Sequence, residues 1–284
     1  MSGGVVIARF ALRECVRRRV FLIVGVLTVG FLALYGLGTW QVYRTIDEFG
    51  TGLAGVEPPI VAGATLVGLA MFATLFLGAV LSVFLTLGVV RGDAERGLLQ
   101  PVLVRPVSRA TLLVARFAAA AAVSGAYVAA VALATMILTW AIGGWWPDRV
   151  VTPLLSLALG VAIIAALSLA GSVALASTAN GIAVFMVFGA GLTAGLLGQV
   201  GEALSSGTLE DVARVASWAL PFEALYQAGL AQLTADTVGF TRLAIELGPF
   251  GGAEAASAWL WLWAFAYLGL VGAAALAGFR RRDL

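Results

Sequence analysis

Six stretches of this 284-residue chain each run for at least 20 residues without an Asp, Glu or Arg, near residues 20–39, 60–90, 117–142, 153–178, 181–200 and 257–279. About 20 consecutive apolar residues in a helix span the hydrocarbon core of a bilayer. The pattern predicts an all-α membrane protein of six transmembrane helices. Charged residues are 11% of the chain, against about 25% in soluble domains, so one membrane bundle replaces the two soluble domains that length alone would suggest. The run over 60–90 is long enough to tilt or to extend past the bilayer. The fourth and fifth runs are joined only by the uncharged link Ser177-Thr178-Ala179-Asn180-Gly181. A helical hairpin is expected there; a single broken helix is the alternative, and it would reverse the last span.

The arginines orient the bundle. With the N-terminus, the 91–116 loop and the C-terminus on one side, that side carries 13 of the 17 arginines and four of the 15 acids. The positive-inside rule makes it cytoplasmic, with both termini inside. All eight tryptophans then fall at or beyond the outer interface, as an aromatic belt. The apolar run over 20–39 exceeds the 7–15 residues of a secretory signal core and reads as a retained first span.

The residue inventory narrows the chemistry. The chain has no lysine and no histidine. A GxxxxGK[ST] phosphate loop is therefore impossible, as are lysine Schiff bases and histidine general bases. A lone Cys15 gives no intrachain disulfide, and with four methionines there is no convergent soft-ligand set for copper or zinc. The chain is read as no enzyme, with no cofactor and no metal of its own, and with no nucleic-acid partner. Its immediate partner is the lipid bilayer.

The single domain, 1–284, divides into four parts. Over residues 1–19, Arg9, Arg13 and Arg17 share a stripe one turn apart, with Ala8, Ala11, Leu12 and Cys15 roughly opposite. This suits an amphipathic helix on the inner membrane surface, or a basic topology anchor. Residues 20–200 hold spans one to five. Residues 201–256 hold extracytoplasmic helices: Thr208 begins a capped segment, Pro221 ends it, and Phe222, Leu225, Tyr226, Gly229 and Leu233 form a second apolar stripe. These short helices are expected over the outer mouth. Residues 257–284 hold span six and a basic tail. Within 91–116, a short charged segment ends in Leu98-Leu99, is punctuated by Pro101 and Pro106, and leads to Ser108, a candidate cap for a helix running through Arg116 into span three. It is a loop that transmits a push from a cytoplasmic partner, or an ordinary inter-span loop.

The order of residues in that loop, Glu95-x-Gly97-Leu98-Leu99 followed by Arg105-Pro106-Val107-Ser108-Arg109, resembles the permease subunits of type-2 ABC transporters. Among these it is most similar to the multicopper-enzyme-maturation subgroup. Leu220-Pro221-Phe222-Glu223 and the ending Arg280-Arg281-Arg282-Asp283 are similar to that family too, and the order of the parts covers essentially the whole chain. The resemblance implies a permease subunit of an ATP-driven exporter in a prokaryotic cell membrane. It implies a pair of permeases, as a homodimer, and two copies of a separate ABC ATPase that brings ATP and magnesium. It places ATPase coupling at Asp93, Glu95, Arg96, Gly97, Leu98, Leu99, Arg105, Pro106, Ser108 and Arg109. The subgroup's copper label finds no support in the ligand inventory.

Phe72 with Phe76, and Phe185 with Phe188, share helix faces at helical spacing on spans two and five. They are candidate gate residues of an apolar cavity, or ordinary packing and lipid-facing residues. No run contains an Asp, Glu or Arg, which weighs against an ion-coupled carrier or channel. A membrane anchor or regulator that transports nothing is the third reading.

Overall fold

The structure, a computed structural model, describes residues 19–49, 55–87, 109–246 and 257–280. Among them are nine helices and no strand: α1 Arg19–Phe49, α2 Pro58–Thr86, α3 Arg109–Gly143, α4 Val151–Ala174, α5 Ser177–Ala203, α6 Gly207–Ala219, α7 Pro221–Ala231, α8 Gly239–Glu246 and α9 Ala258–Arg280. Six of them, α1 to α5 and α9, are long and apolar enough to cross a membrane. The chain is an all-α, multi-pass membrane protein.

The spans alternate in direction. Near the end of α1, Tyr43 donates to the carbonyl of Pro59 at the start of α2 (3.0 Å) and packs on Gly143 at the end of α3. That end is called distal. At the opposite, proximal end, a Cβ on Gly181 early in α5 would stand 3.1 Å from Leu87, just after α2. Leu113, Val173 and Phe279 cluster there as well.

Helix α2 is the axis of the bundle, packed by α3, α4 and α7 around Val67, Met71, Leu75 and Val83. By contrast α1 lies at the edge. Leu22, Ile23, Val26, Leu27, Leu34 and Leu37 are exposed, as lipid-facing side chains should be. Lipid tails are as apolar as leucine, so polar contacts and close packing must hold such a helix. A narrow stripe supplies them: Thr28 Oγ1 with Tyr127 Oη, and Tyr35 Oη with Thr139 Oγ1, both at 2.5 Å.

Spans four and five do form a hairpin. The break falls at residues 175–176, earlier than the polar link suggested, and Asn180 lies inside α5. Leu175 takes an extended conformation, so an apolar pair makes the turn and leaves no polar signal. Buried Asn180 donates from Nδ2 to the Ser168 carbonyl (2.8 Å), with its amide against the Cα of Gly171, where a Cβ would collide. Span three starts earlier than its uncharged run, and α3 is one continuous helix from Arg109 through Arg116.

The short helices before the last span are present, and they go deeper than a lid. A Cβ on Gly201 would stand 3.0 Å from Leu209, and one on Gly198 would stand 3.1 Å from Ala213. So α6 descends along α5 from the distal end. Leu220 breaks the helix, and α7 starts at Pro221, where the missing N–H is no loss. Phe222 sits against Gly160 and Gly191, near the midpoints of α4 and α5. Gly160 is nine residues into α4, which is roughly 14 Å at 1.5 Å per residue, about half of a roughly 30 Å core. α7 then climbs back between α2 and α4, and Tyr226 donates to the Gly68 carbonyl at 3.3 Å. α6 and α7 are therefore a re-entrant hairpin that enters and leaves at the distal end. Non-helical backbone is tolerated at that depth only where protein covers it, and Leu220 is partly buried against the core. Trp218, at the foot of α6, is drawn inward with it: its carbonyl accepts from Trp263 Nε1 at 2.9 Å.

Candidate functional site

The four gate candidates divide. Phe76 and Phe188 meet across α2 and α5, with ring centroids 6.2 Å apart. Phe72 meets Tyr226 of α7 edge-on at 6.2 Å. Phe188 is buried and stacks on Phe222 at 5.5 Å. Phe185 is partly buried against the same core. Phe72 and Phe76 are 39% and 46% exposed, although they stand on the most buried span. With Leu69 they form an apolar stripe on α2 that the described residues leave uncovered. The aromatic path thus runs from this stripe, through Phe188, to the tip of the hairpin.

The coupling candidates Asp93, Glu95, Arg96, Gly97, Leu98, Leu99, Arg105, Pro106 and Ser108 lie outside the described residues, and Arg109 is the first residue of α3. The N-terminal interfacial segment over residues 1–18 and the tail over 281–284 lie outside them as well.

The residues that sequence reasoning missed are Glu223 and Gln227. Glu223 is 7% exposed at the foot of α7, at mid-bundle depth. Its carboxyl presses on α5 at Gly195, where a Cβ would collide with it. Gln227 Nε2, one turn on, donates to Oε1 at 2.8 Å, and Gln227 Oε1 is buried without a partner. No ion pair joins Glu223 among the described residues. Burial pushes its carboxyl above the usual carboxylate range, and the Gln227 hydrogen bond partly opposes that. The uncharged runs never pointed to this carboxyl because it comes from a segment between spans. The available signal was Pro221-Phe222-Glu223 opening an apolar stripe: a proline at the helix start beside an acid among residues with only apolar neighbours.

Compared with protein-family models and with curated proteins, the chain matches none. Among the described residues, no cluster of His, Cys, Asp or Glu has the makings of a metal site.

Proposed function

We propose that this chain is the membrane subunit of an ATP-driven exporter, working with a separate ATPase. The observation that carries the reading is the half-exposed Phe72–Phe76 stripe on the central span, flanked by α5 and backed by the hairpin. A central helix that leaves aromatic rings uncovered is suited to line a cavity shared with a second permease. The basic, proline-punctuated 91–109 segment supplies the cytoplasmic contact. ATP-driven closure of two ATPases on these loops moves the spans between inward- and outward-accessible states, as rigid bodies. The reading places the protein in a prokaryotic cell membrane with the proximal end cytoplasmic, following the arginine asymmetry.

Two measurements test it. The purified chain alone is expected to hydrolyse no ATP, since it has no lysine for a phosphate loop. Isolation from native membranes is expected to bring a P-loop ATPase with it. Hydrolysis that survives removal of every other ATPase would sink the proposal. For topology, a cysteine placed near Gly251 in a Cys15→Ser background should react with an impermeant thiol reagent from outside, and one near Gln100 should not. The reverse pattern would overturn the orientation and the coupling role together.

A second reading, a carrier driven by an ion gradient, is favoured by one observation: the buried Glu223 carboxyl inside the bundle. Flux that collapses with an uncoupler and needs no ATPase would support it.

A further inference from the structure

We propose that Glu223 is a proton-binding site at membrane depth, and that release of its proton drives the α6–α7 hairpin toward the distal aqueous side. The inference rests on neither transport reading. Helices α2, α4, α5, α6 and α9 pack on α7. α2 and α4 contain no charged residue, and α5 has Glu202 alone, near its distal end. α9 offers Tyr267 and the proximal Arg280. α6 offers Glu210, Asp211 and Arg214, of which the last two pair with each other at 3.0 Å on an exposed face. On α7 itself the other titratable group is Tyr226, whose hydroxyl donates to Gly68 and whose phenol burial pushes further above its ordinary value. Among the described residues no cation is in place to balance an ionised Glu223.

A lone carboxylate away from water is expensive, and the inexpensive state is the neutral acid. Burial favours that state: the Cα of Gly195 closes over the carboxyl, and the single bond from Gln227 Nε2 to one oxygen only partly offsets the loss of water. Ionisation transfers the proton from the carboxyl to water, leaving a carboxylate that must hydrate. The hairpin reaches water only at the distal end, by which it entered. Linkage gives the direction. Below the ordinary carboxylate range, embedded and hydrated forms both hold the proton, and pH does not favour either. As pH rises through that range toward the raised value, the embedded form keeps its proton and the hydrated form loses it. The embedded form therefore loses stability with rising pH.

Trp218, its ring tilted against that of Trp263 at 5.4 Å and its carbonyl bonded to Trp263 Nε1, reports the hairpin's position. The experiment titrates the full chain in nanodiscs, following the infrared C=O band of protonated carboxyls and the tryptophan emission. In wild type we expect one carboxyl to lose its proton above the ordinary Glu range, together with a red shift of emission. Glu223→Gln should lose both transitions. Trp218→Phe should lose most of the emission change and keep the infrared one. Gln227→Leu leaves the carboxyl in place and removes the bond that favours its ionised form, so its transition should persist and move to higher pH. It also keeps the proposal testable if Glu223→Gln folds poorly. A transition that survives in Glu223→Gln, or a Glu223 ionised throughout, would overturn the proposal. A midpoint that moves when sodium replaces choline would overturn it too, by making the site one for a metal cation.

Discussion

Phe222→Ala is expected to cost the folded bundle about 2–3 kcal/mol. The ring is fully buried between Gly160, Gly191 and Phe188. In a soluble core, Phe→Ala costs about 3–5 kcal/mol, the sum of a transfer term and a cavity term. Within a bilayer the transfer term largely disappears, because lipid is as apolar as the core. The cavity term remains: roughly 100 Å³ lost at about 24 cal/mol per Å³ comes to about 2.4 kcal/mol. Reversible unfolding in mixed micelles measures it. Phe265→Ala is the control, since that ring is 62% exposed on α9 and its loss opens no cavity. Equal effects in the two variants would mean that α7 is not embedded.

Glu95→Ala combined with Leu99→Ala is expected to weaken ATPase docking about thirtyfold, while the protein stays folded in the membrane. On the proposed function, the pair removes an acid and an apolar anchor from a desolvated contact. Such a loss costs ~2 kcal/mol or more when the site is a hot spot, and 1.4 kcal/mol is tenfold in affinity. Arg149→Ala is the comparison. Arg149 stands at the distal end, in an exposed pair with Asp236 at 3.8 Å, and surface pairs of this kind contribute little. A double variant that binds the ATPase and exports like wild type would leave 91–109 as a plain inter-span loop, and the coupling role would move to the α4–α5 turn.

The spans were legible because lipid imposes length and forbids charge, two properties read directly from residue order. Their ends were less so. Arg44, Asp47 and Glu48 continue α1 beyond its apolar run, because a helix needs no change of structure to leave the bilayer. The Leu175–Ala176 break is invisible for the opposite reason: it is apolar like its surroundings. The stripe Phe222, Leu225, Tyr226, Gly229 and Leu233 was visible as a stripe, but periodicity tells only that a face is apolar. It does not tell whether that face meets water's edge, lipid or protein. Here it meets α2 and α4, and Glu223 is carried in with it. Likewise the i, i+4 spacing placed Phe72 and Phe76 on one face, whereas their partners Tyr226 and Phe188 come from distant segments that only the tertiary structure brings near.

The re-entrant hairpin also sets an order of construction. Its tip exposes backbone groups that lipid cannot satisfy, so it has no resting place until α4 and α5 stand side by side. The segment must first emerge whole at the distal end during synthesis and dive back only when its slot exists. α9, made after α6 and α7, then lays Trp263 against Trp218 and fastens the foot of α6. The buried Glu223 carboxyl is thus installed late, and α9 acts as a latch on it.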